Sequence, residues 1–317
     1  VSSVQLAEAS NAAVYATMVT LALAMVAFAV SFASGRVRPV AASAARIEGS
    51  GSTALLTREE PPPPMTAGRR AANIGMSLTW LAFVLLLIGV VLRGVWAGRV
   101  PWGNMYEFSI SAALGVLGVF LVMSIRRDLR WLGLFVVLPT LLWLGLAVTV
   151  LYTEAAQLVP ALKSYWLVIH VAAAIICFGA FTFAAATAGL ALARGRVERR
   201  QGTEDVVGWA AHVPTRTRLE RLTNVVVAFS FPLWTFAVVA GAIWAENAWG
   251  RYWGWDPKET WAFITWVIFA AYLHARSTAG WRGDRASWIV LAGWVSFLIN
   301  YFGVNIFVNS LHSYAGV

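Results

Sequence analysis

A helix needs about 20 consecutive, mostly apolar residues to cross the hydrocarbon core of a bilayer, and this chain supplies such stretches repeatedly. Eight qualify, at roughly 12–34, 73–95, 107–125, 130–152, 165–193, 222–245, 258–275 and 286–309. Hydrophobic residues make up 59% of the 317 and charged residues only 12%, about half of the roughly 25% charged that a soluble domain carries. Lipid therefore takes the place of a single buried core. The expected fold class is an all-α polytopic membrane protein of eight transmembrane helices. The third stretch is short and the fifth long, a mismatch that helix tilt accommodates.

The 35–72 connection after the first helix is rich in Ala, Ser, Arg and Pro and includes Pro61 to Pro64. It has too little apolar surface to fold alone and is expected to be a cytoplasmic linker. This divides the chain into a first helix at 1–34, the linker, and a seven-helix core at 73–317. Nineteen of the 24 Lys and Arg residues fall in 35–72, 126–130, 194–221 and 276–285. The opposite set of loops holds only Arg93, Arg99, Lys163, Arg251 and Lys258. By the positive-inside rule the first set is cytoplasmic, and both termini and the 246–257 loop lie outside. The net charge of +9 is thus absorbed by topology, with no basic patch left for nucleic acid. Cys177 is the one cysteine, so a disulfide framework, a CxxC pair and a thiolate metal cluster are all excluded within the chain. The first apolar run lacks a preceding basic segment and a clear cleavage site, so no cleavable signal peptide is expected.

The densest feature is the segment from Trp244 to Trp261, which holds five tryptophans and Tyr252 within 18 residues, with glycines between. An aromatic belt accounts for one or two rings at a helix end, not for this density. Glycines permit close backbone approach and the rings offer stacking surface, so Trp249, Trp253, Trp255 and Trp261 are candidates for holding a flat ligand. Asp256-Pro257-Lys258-Glu259 has the sequence of a helix start, with Asp at the N-cap, Pro at N1 and Glu at N3. An acid–base role for the two carboxylates is the weaker reading. Arg251 and Lys258 are available either to an anionic ligand group or to lipid headgroups.

His170 lies at the outer end of the fifth stretch and His312 just past the outer end of the eighth, so both share a face with the Trp-rich loop. Imidazole is a common axial ligand of haem iron and a porphyrin is planar, which suggests a haem held from both sides by these two histidines. His274 follows Trp261 by 13 residues, roughly 20 Å further towards the cytoplasm at 1.5 Å per residue. It is either an inner ligand or an interfacial residue beside Arg276. His212 lies in the basic cytoplasmic loop and is expected to be solvated.

With these residues in view, the chain resembles the CcsA family of system II cytochrome c biogenesis, within the haem-handling proteins that carry a WWD domain. The resemblance runs from about residue 95 onward. It rests on Trp249-Gly-x-x-Trp253-x-Trp255-Asp256-Pro257-Lys258-Glu259, followed by Trp266 and Leu273-His274-Ala-Arg276. Pro101-x-x-Asn104-x-Tyr106-Glu107 and Leu311-His312-Ser313-Tyr314 complete it. The resemblance implies haem b as transported substrate, ligated externally by His170 and His312 over the WWD segment, with His274 matching an inner site. It also implies a ResB-type membrane partner and delivery of haem to the thiols of a CxxCH apocytochrome at the bacterial inner or plasma membrane. An inner bis-histidine site needs a second intramembrane histidine that this chain does not contain.

On this reading the protein binds and positions haem while the reactive chemistry resides in haem and thiols. No Ser/His/Asp, Cys/His or paired-carboxylate arrangement points to a catalytic residue, so any enzymatic status is a subunit's share in a synthetase. Thiol reduction falls to a separate protein. The alternatives are a haem-binding electron-transfer subunit, a transporter of another amphipathic anion, and a system I WWD relative, which eight helices with one isolated WWD segment fit less well.

Overall fold

The structure, a computed structural model, describes residues 2–34, 66–155, 163–278 and 281–312. These residues form helices and connections, with no strand among them. In chain order the helices are α1 (Ser3–Ser34), α2 (Ala67–Ala97), α3 (Met105–Arg126), α4 (Gly133–Thr149), α5 (Tyr165–Gln201), α6 (Arg216–Trp249), α7 (Pro257–Ser277) and α8 (Asp284–Leu298). A π-helical turn, Ile299–Gly303, and a last α-helical turn, Val304–Phe307, prolong α8. Each expected stretch has its helix. Most of the helices run past the apolar run at one end or both, because capped polar turns continue the backbone hydrogen bonding beyond the lipid-length core. The last residues assigned to the linker, from Ala67, already belong to α2. Pro61 to Pro64 and the rest of 35–65 lie outside the described residues, as do Ser313 and Tyr314.

Among the described residues seven helices are long and apolar enough to cross a membrane. The exception is α7, whose 21 residues begin with Lys258 and Glu259 and end with His274 and Arg276. Its composition is that of an apolar helix with two polar ends.

Short polar residues cap α2, α3, α5 and α7 through their side chains. Asn104 caps α3 by accepting the Glu107 amide at 2.8 Å, and Ser164 caps α5 by accepting that of Trp166 at 3.2 Å. Lipid offers no hydrophobic drive between helices, so close approach at small residues does the packing. The crossing of α3 and α5 brings backbone against backbone: a Cβ on Gly179 would sit 2.5 Å from the Gly115 carbonyl oxygen. Deeper in, the rings of Phe181 and Phe269 stack at 3.9 Å between centroids, tying α5 to α7.

Two ends of the bundle carry buried charge. At one, the Glu107 carboxylate takes Arg93 at 3.0 Å, Arg99 at 2.6 Å and the Gly103 amide at 2.8 Å, with Arg93 and Glu107 wholly buried. The expectation that Arg93 and Arg99 simply belong to an outer loop misses this cluster. At the other end Arg194 is buried against the turn that joins α5 to α6. His212 lies there too, with its ring 5.1 Å from that of Phe32. It is half-buried against an aromatic ring rather than freely solvated.

Candidate functional site

The α7 N-terminus, the last four turns of α6, the first turns of α3 and α5 and the end of α8 converge on a cleft of about 1150 Å³, counted out to its open mouth. Its walls are largely aromatic, with Trp102, Trp234, Trp244, Trp249, Trp253 and Tyr301 among them. His170 and His312 both line it.

Each histidine is held by its Nδ1. The His170 Nδ1 lies 2.7 Å from the Ala237 carbonyl oxygen. A carbonyl can only accept, so Nδ1 carries the proton and the lone pair of the neutral ring sits on Nε2. The space for this ring comes from α6. Ala237, Gly241 and Trp244 fall at i, i+4 and i+7, one face of a helix, and a Cβ on Gly241 would stand 2.8 Å from the imidazole. Trp244 closes the face, its ring parallel to that of His170 within 14° at 6.2 Å.

His312 is held from the α7 N-terminus. Its Nδ1 donates to Asp256 Oδ2 at 2.9 Å, and the Leu311 amide donates to Asp256 Oδ1, also at 2.9 Å. Asp256 is at the same time the N-cap of α7, with Glu259 Oε2 reaching back to the Asp256 amide at 3.0 Å and to that of Gly254 at 2.8 Å. Burial opposes ionisation of Asp256, but the bonds from His312 and Leu311 outweigh it and hold the carboxyl at about 2. Burial pushes the His312 imidazole below its usual range despite the pull of Asp256. The stable arrangement is therefore a neutral imidazole donating Nδ1–H to a carboxylate, which again puts the lone pair on Nε2. The His312 ring packs edge-on against Trp244 at 5.4 Å and Trp249 at 5.0 Å.

The other residues singled out by sequence separate into groups. Trp249 and Trp253 line the cleft together with Lys258. Asp256 stands behind His312. Trp255 is exposed and takes φ 57°, the left-handed region, with its ring set edge-on to Trp253 at 5.7 Å. Trp261 and Arg251 are half-buried but do not line the cleft. His274 is exposed on α7 at the opposite end of the bundle.

Sequence reasoning missed Gly241, Trp102, Asn300 and Asn305. Nine buried side-chain nitrogen or oxygen atoms lack a hydrogen-bond partner among the described residues, and four of them belong to residues that line the cleft: Trp234, Glu259, Asn300 and Asn305. Buried polar groups normally find partners, so this concentration marks where a ligand's polar atoms fit. Single asparagines in an apolar helix gave no local signal for it.

The family profile described as "Cytochrome C assembly protein" matches residues 102–312, two-thirds of the chain and the whole cleft. Curated relatives agree. The protein named "Cytochrome c biogenesis protein CcsA" of Guillardia theta is 36% identical over 256 residues, covering 76% of this chain and 85% of its own. Its namesake in Microcystis aeruginosa is 34% identical over 289 residues, covering 76% and 87%. The chain belongs to the CcsA family. Among solved structures, "Cytochrome c Heme Lyase CcmF" superposes with a TM-score of 0.61 at 16% identity. That match covers 94% of this CcsA-family chain but only 46% of the solved one. At this identity it establishes a shared fold alone: the smaller CcsA-family bundle corresponds to under half of the larger protein.

Proposed function

We propose that this chain acts in cytochrome c biogenesis as the haem-handling subunit of a system II synthetase, presenting haem at the outer membrane face for attachment to CxxCH apocytochromes. The observation that carries the reading is the pair of imidazoles on one aromatic cleft, each held through Nδ1 with its lone pair on Nε2. Two nitrogen donors are what completes a six-coordinate, low-spin shell for an iron already bound by four porphyrin nitrogens. Among the described residues no group of three or more His, Cys, Asp or Glu could hold a bare metal ion instead. The aromatic walls supply stacking surface for the ring, and Gly241 supplies the clearance behind His170.

In this reading α7 crosses the membrane with the other seven helices, its polar ends at the two surfaces. Both termini and the cleft are outside, and the Arg194 end is cytoplasmic, in line with the distribution of basic residues. Trp249 and Trp253 stack against the haem, while Trp255, Trp261 and Arg251 support the loop or meet groups outside this chain. His274 serves an inner site that the chain cannot complete alone. Of its four histidines, His170 and His312 are committed to the cleft and His212 packs on Phe32, so a ResB-type partner provides the second ligand. Attachment adds each cysteine S–H across a haem vinyl C=C, giving a thioether with no net oxidation or reduction. The thiols must arrive reduced. Cys177 is buried and donates to the Ser230 carbonyl at 3.6 Å, so thiol reduction belongs to another protein.

The test is the visible spectrum of the detergent-purified complex, with haem quantified, for the wild type and the His170→Gly/His312→Gly variant. Expected is a reduced low-spin spectrum in the wild type, its loss in the variant, and partial recovery of haem and of cytochrome c maturation on adding imidazole. A variant with the full haem complement and an unchanged spectrum would remove these histidines as ligands. A wild-type complex without haem would overturn the reading as a whole.

A further inference from the structure

The last helix changes its pitch where it meets the cleft. After Leu298 the hydrogen bonding widens to a π turn over Ile299–Gly303 and returns to α-helical at Val304. Tyr301 fixes this turn against α3: its hydroxyl donates to the Met105 carbonyl at 2.8 Å and pairs with the Ser109 hydroxyl at 2.7 Å. Its ring stacks on Trp143 at 5.6 Å. The consequence falls on Asn300 and Asn305. In an uninterrupted α-helix, positions five apart diverge by about 140° around the axis, so both would not face one ligand. The wider turn, a common device at functional sites, puts both on the cleft wall.

Each of these amides has a buried oxygen with no hydrogen-bond partner among the described residues. A third polar group on the cleft is Lys258, which takes part in no ion pair among the described residues. The neighbouring Glu259 spends one oxygen on the capping of α7. A cation and two amides on the wall of a largely apolar and aromatic cleft are costly to bury without a counterpart. Which amide atom is oxygen and which is nitrogen follows the partner, so each side chain can turn two N–H donors toward a carboxylate.

Resting on the haem-handling reading, we infer that Lys258, Asn300 and Asn305 grip the carboxylate edge of the haem. The ring then has one defined in-plane orientation between His170 and His312, with its vinyl-bearing edge turned away from these three residues. Vinyl presentation to the apocytochrome is set by this polar wall, and iron ligation by the histidines.

The experiment compares haem with its dimethyl ester, in which both carboxylates are neutral and blocked, by Soret titration of the complex stripped of haem. Wild type should prefer haem over the ester by about tenfold or more, the range for hydrogen bonds to a charged group. Lys258→Gln and the Asn300→Leu/Asn305→Leu pair should move that ratio toward one while the low-spin histidine spectrum persists. Asn300→Asp, which keeps the side chain's shape, should weaken haem more than ester, and Lys258→Arg should restore the preference. These two keep the test decisive should the leucine pair fail to assemble. Equal binding of haem and ester by a wild type with normal histidine ligation overturns the polar-wall assignment and leaves the haem-handling function standing. Absence of any histidine-ligated spectrum in the wild type overturns both.

Discussion

An arginine is buried at each end of the bundle, and the chain treats the two ends differently. Arg194 directs Nε to Glu198 at 2.8 Å, Nη1 to the carbonyls of Ala210 and Val213, and Nη2 to that of Glu204 at 3.1 Å. Asp284 then bridges Arg199 at 3.1 Å and Arg216 at 2.7 Å, tying α8 to α5 and α6. Every guanidinium nitrogen of Arg194 ends on an acceptor from this chain. Arg93, near the cleft, shares Glu107 with Arg99 and still leaves Nη1 without a partner. Beside it the cleft residues leave four more polar atoms unsatisfied. The Arg194 cluster is complete as protein, whereas the cleft end concentrates buried polar atoms that no described residue satisfies. That is the physical difference between a structural charge cluster and a binding site.

The sharpest test of this contrast is Glu107→Ala, which leaves the buried Arg93 and the half-buried Arg99 without their carboxylate. Breaking a buried ion pair on one side costs about 3–5 kcal/mol. The thermal unfolding temperature of the purified complex should fall steeply, with loss of haem following from collapse of the Gly103–Asn104 wall. Arg194→Ala should also destabilise, yet haem bound by the surviving folded fraction should keep its spectrum. If Glu107→Ala left the unfolding temperature unchanged, the cluster would be no more structural than a surface pair.

Two glycines separate packing from ligation at a smaller scale. Gly179→Ala drives a methyl into the Gly115 carbonyl and should cost about 1–3 kcal/mol of stability, the usual penalty for overpacking, with no specific effect on the haem spectrum. Gly241→Ala meets a side chain instead, the His170 ring. It should displace that ligand and convert the low-spin spectrum to a five-coordinate one while the unfolding temperature moves little. Identical behaviour of the two variants would mean that Gly241 serves packing alone.

The sequence carried the parts of this picture that depend on local order. Apolar runs marked where each helix lies, although α7 is not among the seven long and apolar enough to cross a membrane, and the Asp-Pro-Lys-Glu signature located the start of α7. Two histidines beside a Trp-rich loop pointed to one face. What it did not carry is pairing between distant residues. The bond from Asp256 to His312 spans 56 positions, and the seat of His170 on Ala237 spans 67. Nor does periodicity announce a π turn, so Asn300 and Asn305 read as unrelated polar residues on different faces. The helix-start reading of Asp256 was sound but incomplete, since the same carboxylate both caps α7 and orients an imidazole.

That double duty gives the next prediction. Asp256→Asn retains a helix cap but replaces the carboxylate that orders the His312 tautomer, and outer-shell partners of this kind are worth about 10–100-fold in affinity. Haem retention should fall accordingly while helicity by circular dichroism holds. The folded-state pKa of Asp256 is depressed from 3.8 to about 2. Its contribution is therefore complete above about 3.8 and is lost only as pH falls through 2, so titration of Asp256 should not make wild-type retention vary with pH across the neutral range. Loss of haem by Asp256→Asn at pH 7 with no further change on mild acidification fits the assignment. Unchanged retention at pH 7 rules it out.

The smallest effect is expected at Trp255, where the comparison of finished and unfinished surfaces reaches the rim of the cleft. A non-glycine residue in the left-handed region costs of order 1–3 kcal/mol, and here the strained residue also exposes 66% of a tryptophan. Its edge contacts with Trp253 and Phe263 are modest compensation. Trp255→Gly relieves the backbone and removes the ring, so stability should hold or rise slightly, by about 1 kcal/mol at most. Haem retention should stay near wild type, because the ring does not line the cleft. If maturation of c-type cytochromes in cells nevertheless falls, the strain is repaid at an intermolecular contact made by the exposed ring. If haem retention falls instead, Trp255 belongs to the haem bed despite its position. Unchanged maturation and retention together would reduce Trp255 to a headgroup-level aromatic, and the functional part of the loop would end at Trp253.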